Sequence, residues 1–307
     1  MLIDALEART DNIQMVSPRL PPRIEIESKN ISIKLDGDNR EGYEITAPAF
    51  ESLLNIIRLP IKYVERLIEQ DGGKLAQDNI NFWLAGRNMS FLMDSKDIVT
   101  QVFDCKKLYI PSLTVNDEIM DSLPEAKVLE WQLHDDVFHA IYIGRDNLEI
   151  DGTTFFVGIR VLYSDCFNSP PRFDGVLYSF TSQVMFSYPI QNRKFRVASN
   201  SVAEILEQIR EFIALGIDAV TNELAPQLKD KMHTEYVVSE FLPRMCSDLR
   251  LSSKILQQLS KGLSYSANLM ELVGIITDNC NSNHIDIAVT REIQVAIAKF
   301  VVTGQFK

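Results

Sequence analysis

Apolar and polar residues alternate at Ile24 and Ile26 and again at Ile31, Ile33 and Leu35, the two-residue period of a half-buried strand pair. Asp36-Gly37-Asp38 supplies a turn after them, and Tyr43 with Ile45 extends the sheet. The period then lengthens to three and four. Phe50, Leu53, Leu54 and Ile57 mark one helical face behind Pro48, and Ile61, Val64, Leu67 and Ile68 mark a second that Gly72-Gly73 ends. A short helix is expected over 75–81.

From Phe82 the reading returns to strands. Segments 82–84, 88–93 and 98–103 carry β-branched and aromatic runs around polar turns. A helix over 116–123 interrupts them, and strands resume over 128–133, 137–143, 153–161 and 176–188, so a sheet of six or more strands is expected. Beyond Ser201 the signal is helical: Val202, Ile205, Leu206, Ile209, Phe212 and Ile213 recur at three and four, with Ser199, Asn200 and Ser201 available to cap. Further helices are expected over 236–241, 252–259, 269–276 and 291–302.

The pattern predicts an α+β protein, mostly antiparallel sheet with short helices in its first two-thirds and helical in its C-terminal third. Residues 1–23, with Ser17-Pro18-Arg19-Leu20-Pro21-Pro22, read as an extended arm. Residues 24–200 form the sheet-rich core and 201–307 a helical region packed on it, with no low-complexity linker between them.

Charge narrows the partners. The formal net charge is -11 and the pI about 4.9, a field that repels polyanions and anionic lipid. Cys105, Cys166, Cys246 and Cys280 form no C-x-x-C pair, so neither a zinc ribbon nor a disulfide framework is indicated. The start Met1-Leu2-Ile3-Asp4 lacks a basic stretch followed by an apolar run, and no stretch suits a membrane span. A cytoplasmic protein, with no membrane partner and no cofactor, is the expectation.

Three stretches carry candidate chemistry. His134 and His139 flank two aspartates and are candidate metal ligands, although positions five apart on one regular strand face opposite ways. Ser164-Asp165-Cys166 places a nucleophile beside an acid without a visible activating base. Arg172, Tyr188, Arg193, Lys194 and Arg196 belong to the most basic stretch of the chain; with interleaved aromatics they are candidate single-strand nucleic-acid contacts. Neither a Walker loop nor a G-x-G-x-x-G occurs.

Several phrases resemble the phage/plasmid-like protein family of domain of unknown function 932. They are Leu59-Pro60-Ile61-Lys62-Tyr63-Val64-Glu65-Arg66-Leu67, Phe82-Trp83-Leu84, Tyr109-Ile110-Pro111-Ser112 with Ile119 to Leu123, and Leu272 to Thr277 before Arg291-Glu292-Ile293-Gln294. The likeness spans roughly residues 45 to 305. Where such proteins tend to carry an Arg and a Cys-x-Asn-Gly type turn, this chain has Tyr188-Pro189-Ile190-Gln191-Asn192. The resemblance implies an accessory protein of a phage or other mobile element, acting in host cytoplasm by binding or assembly rather than catalysis, with itself or a host or phage protein as partner. It brings no catalytic residue. Single-strand nucleic-acid binding in phage replication or recombination, a metal-dependent enzyme and a virion component are the alternatives.

Overall fold

The computed structural model describes residues 1–307 except 19, 28–29, 36–41, 135–136, 169, 191–192 and 197–200, and of residue 134 only its backbone. The expected turn at 36–38, the aspartates at 135–136 and the capping positions 199–200 lie outside the described residues.

The chain opens with helix α1 (Leu2–Asp11) and strand β1 (Gln14–Val16). The helix corrects the extended reading of the first residues. Leu2 and Leu6, one turn apart, bury the inner face of α1, while Asp4 in its first turn and Arg9 in its last suit the helix dipole. Strands β2 (Arg23–Glu27), β3 (Asn30–Lys34) and β4 (Tyr43–Glu44) then pair in sequence order as an antiparallel meander.

Helices α2 (Ala47–Ile57), α3 (Ile61–Asp71) and α4 (Lys74–Leu84) follow. The Thr46 hydroxyl accepts from Ala49 N at the start of α2, and Gly72 closes α3 at φ 75°, which glycine adopts without strain. Helix α4 runs through Phe82-Trp83-Leu84, expected as a strand. Ala76, Ile80 and Leu84 recur every four residues on the buried face, which turns Phe82 and Trp83 outward. Strands β5 (Met89–Met93) and β6 (Val99–Asp104) form a three-stranded sheet with β1 on the far side of β5. Strands β1 to β6 and helices α2 to α4 share one apolar core, in which Leu53, Ile80 and Phe91 are fully buried, whereas Leu2 and Leu6 of α1 belong to a second core with Ile110 and Phe138.

Helix α5 (Ser112–Ser122) leads into the principal sheet: β7 (Lys127–His134), β8 (Val137–Ile150), β9 (Thr153–Ser164), β10 (Arg172–Ser179) and β11 (Val184–Pro189), antiparallel and in sequence order. The apolar run 176–188 is therefore two strands. Among the described residues the expected sheet of six or more strands is divided among sheets of five, three, three and two.

Helix α6 (Val202–Asp218) covers one face of this sheet, where Ile205, Ile209 and Ile213 meet Tyr142, Ile159 and Phe173. Contact is close enough to require glycine on the strand. A Cβ on Gly175 would lie 2.0 Å from the Gly216 carbonyl oxygen, and one on Gly216 would lie 2.5 Å from Ile159 Cδ1. A π-helical segment (Ala219–Leu224) continues α6 into α7 (Ala225–Lys231).

The remaining elements are β12 (Glu235–Val237), α8 (Val238–Asp248), α9 (Ser253–Leu259), β13 (Ser266–Asn268), α10 (Leu269–Ser282) and α11 (Ile287–Thr303). The β12–β13 ribbon is the one departure from an all-helical third among the described residues. Asn268 and Glu271 form a capping box that starts α10, and Asp286 accepts from Ala288 N and Val289 N to start α11. Helices α10 and α11 pack against β11 through Val184 and Phe186 and share their core with Leu224 and Leu228. The fold class is α+β, as expected.

Candidate functional site

The face of the principal sheet opposite α6 changes character toward its β7–β9 end. Register places Gln132 opposite His139, His139 opposite Leu162, and Arg160 opposite Asp174, so Gln132, His139, Leu162, Arg160 and Asp174 share that face. Met185 and Ser187 on β11 join them. The α10–α11 connection crosses above, and between the two layers lies a cleft of about 530 Å³, within the usual size range of small-molecule sites. Thr277, Cys280, His284, Ile285, Thr290 and Gln294 form its helical wall.

Arg160 dominates the sheet wall. Its residue is 3% exposed. One terminal nitrogen donates to Ser187 Oγ at 3.2 Å, and the other donates to Gln294 Oε1 at 2.5 Å and approaches Met185 Sδ at 3.7 Å. All three acceptors are neutral. Its Nε is buried without a hydrogen-bond partner among the described residues. The carboxylate opposite in register, Asp174, is held in a bidentate pair by Arg291 of α11, at 2.5 and 2.6 Å. Among the described residues no carboxylate lies within ion-pair distance of Arg160. Burial pushes its pKa down to about 10, only partly opposed by the fields of Asp174 and Glu130.

Beside it stands His139, also 3% exposed. Neither ring nitrogen has a hydrogen-bond partner among the described residues, and the Thr277 hydroxyl across the cleft is likewise unpartnered. Burial first, then the charges of Arg160 and Arg291, push the imidazole pKa down to about 3. It is neutral at pH 7. A buried neutral imidazole has one donor and one acceptor to offer, and leaving both unmade costs free energy. Cys280, on the opposite wall, is pushed up to about 11 by burial, so it stays a thiol rather than a nucleophilic thiolate.

The candidate metal pair lies partly outside the described residues. His139 lines the cleft, the backbone of residue 134 pairs with Val137, and its side chain lies outside the described residues. Among the described residues no group of three or more His, Cys, Asp or Glu is placed to hold a metal ion. Cys166 is fully buried and meets Gln101 Oε1 at 2.8 Å, while Asp165 accepts from Ser112 Oγ. Arg9 Nη2 lies 3.0 Å from Asp165 Oδ2, an ion pair by distance whose N–H bonds are not directed at the oxygen. These contacts tie α1, α5 and the end of β9 together, and burial raises the neighbouring Tyr109 pKa beyond its ordinary range.

The basic-aromatic stretch is separated by the fold into an apolar inside and a charged outside. Tyr188 is fully buried with its hydroxyl donating to Glu223 at 3.0 Å, so its ring presents no face to a base. Phe195 stacks between Phe167 and Phe173 against Phe212. Arg193, Lys194 and Arg196 are exposed along an open groove beside α6, where Glu211 approaches Arg193 at 3.6 Å and Gln208 holds the Arg196 backbone. Arg172, exposed at the start of β10, does not line that groove.

Arg160 and Gln294 escaped the sequence reading. A lone arginine inside Thr153-Thr154-Phe155-Phe156-Val157-Gly158-Ile159-Arg160-Val161-Leu162 is a detectable signal, because an apolar strand buries a charge only with a reason. Gln294, 134 positions away, carries none. No helix among the described residues is long and apolar enough to cross a membrane. Compared with protein-family models, with curated proteins and with solved structures, the chain matches none.

Proposed function

We propose that this protein works by binding, and that the cleft between the principal sheet and the α10–α11 connection takes up a small polar ligand. The observation that carries this is Arg160: a guanidinium buried in the cleft wall and, among the described residues, hydrogen-bonded only to neutral acceptors and with its Nε unpartnered. A charge so placed destabilises the fold unless something answers it, and such exceptions to local consistency concentrate at functional sites. Binding is favoured over catalysis because the two buried reactive side chains of the cleft, Cys280 and His139, are both held out of their reactive forms. The Cys280 thiol, raised to about 11, and the His139 imidazole, lowered to about 3, supply neither nucleophile nor effective base at neutral pH.

The setting proposed, on the family resemblance, is that of an accessory protein of a phage or other mobile element acting by binding or assembly rather than catalysis. A ligand seated there bridges the sheet and the last two helices, so its presence strengthens their packing.

Arg160→Met is the test. Methionine spans similar length without charge. The variant is expected to be more stable than the parent by about 1–3 kcal/mol in urea at pH 7, the relief of burial less the cost of leaving Ser187 and Gln294 without a donor. It should also lose ligand binding. Small-molecule extracts of the producing cells, titrated into protein carrying ¹³C-methyl methionine, should shift the Met185 methyl resonance in the parent and not in the variant. A robust hydrolase, transferase or nuclease activity abolished by substitution at another cleft would sink the reading. Salt-sensitive binding of single-stranded DNA, lost when Arg193, Lys194 and Arg196 are neutralised, would favour the nucleic-acid alternative.

A further inference from the structure

Resting on the binding reading above, we infer that the ligand is an organic monocarboxylate with an apolar body and a hydroxyl close to its carboxylate. The buried cation of the cleft calls for an anion. Arg291 is paired with Asp174, His139 carries no charge at neutral pH, and Arg160 is left as the buried cation of the sheet wall with no carboxylate at ion-pair distance among the described residues. Two further carboxylates, Glu130 and Asp286, line the cleft and are exposed. They oppose a second negative charge, so a dianion such as a phosphate monoester is disfavoured where a single carboxylate is matched. A carboxylate accepts in the plane of a guanidinium, and the unpartnered Nε–H of Arg160 is a donor available to it.

The hydroxyl follows from His139. Its neutral ring presents one N–H and one bare acceptor nitrogen, and the acceptor needs a donor, which a hydroxyl supplies and a carboxylate does not. His139 and Arg160 are diagonal neighbours across β8 and β9, close enough to address adjacent groups of one small molecule. The Thr277 hydroxyl, unpartnered on the facing helix, adds a third polar contact. The apolar body follows from Val137, Leu162, Met185, Ile285 and Ile287, which line the same cleft.

Four aryl probes separate the possibilities: phenylacetate, mandelate with its hydroxyl beside the carboxylate, the neutral phenylacetamide and the dianionic phenyl phosphate. Each is titrated calorimetrically into the whole protein, with the Met185 methyl resonance reporting occupancy of the cleft. Phenylacetate should bind about tenfold or more tighter than phenylacetamide, the worth of a charged hydrogen bond. Mandelate should bind tighter than phenylacetate in the parent, and His139→Phe should erase that margin while retaining phenylacetate. Arg160→Gln should abolish selection for the anion, with circular dichroism confirming its fold; Thr277→Val, a milder change, should weaken mandelate while leaving the fold intact. Phenylacetamide or phenyl phosphate equalling phenylacetate at the Met185 methyl would overturn the ligand class and leave the cleft as a binding site. No shift of that methyl with any probe at millimolar concentration would overturn the binding reading itself.

Discussion

Gly175→Ala should destabilise the protein by about 3 kcal/mol or more, an unusually large effect for the addition of one methyl group. The new Cβ would sit 2.0 Å from the Gly216 carbonyl oxygen and 2.6 Å from Val220 Cγ1. A side chain can rotate away, but a helix carbonyl cannot, so α6 must lift from β10. Lifting it opens the packing of Ile205, Ile209, Phe212 and Ile213 on the sheet. Gly274→Ala is the control. Its Cβ would meet nothing closer than Val184 Cγ2 at 3.6 Å, and α10 gains helix propensity, so it should be neutral or stabilising by up to about 1 kcal/mol. Urea midpoints at constant slope read both. Equal effects from the two substitutions would mean that α6 and β10 do not approach as closely as described.

That glycine pair marks where sequence reading stops. Residue periodicity announces α2, α3, α6 and most strands of the principal sheet, because each buries one face and the period follows from helix or strand geometry. It misassigns Phe82 and Trp83, which read as a strand by residue type although Ala76, Ile80 and Leu84 already bury the other side of a helix. Alternation within a strand is local information; which strand lies beside which helix is not. Gly158, Gly175 and Gly216 therefore look like ordinary glycines until β8, β9, β10 and α6 are in register.

The candidate site divides in the same way. His139 is legible as an unusual residue, and a lone Arg160 in an apolar run was available to be noticed. Their adjacency is a property of the β8–β9 pairing, and the capture of Asp174 by Arg291 depends on a contact across 117 positions. Without that capture Arg160 would have an ordinary ion pair, and the cleft wall no buried cation without a carboxylate partner. The exposed cations Arg193, Lys194 and Arg196, conspicuous in sequence, gain no comparable enclosure.

His139 should make the protein acid-labile in a defined window. Its folded pKa, near 3, lies below the ordinary value of 6.5 that the unfolded chain adopts. Between those values the unfolded state binds the proton and the native state does not, so stability falls as pH falls, beginning near 6.5 and ending near 3. The slope approaches about 1.4 kcal/mol per pH unit, and the loss at pH 4.5 should reach about 2.5 kcal/mol from this residue alone. Carboxylates also titrate there, so the quantity to measure is the difference in unfolding free energy between the parent and His139→Leu, which has no proton to take up. The difference should widen by about 2.5 kcal/mol from pH 7.5 to pH 4.5; parallel curves would place the imidazole in contact with water or an acid. The groups facing it explain why occupancy changes the result. Arg160 from β9 and Arg291 from α11 oppose its protonation, and Glu130 from β7 with Asp286 from the α10–α11 connection are the carboxylates that share its cleft. A carboxylate ligand bound at Arg160 offsets that positive field and gives an imidazolium a partner, raising the folded pKa and narrowing the window. With saturating mandelate the protein should lose less stability between pH 7 and pH 5.5 than it does alone, and the ligand should bind more tightly as pH falls over that range, a sign opposite to that of a cleft holding only water.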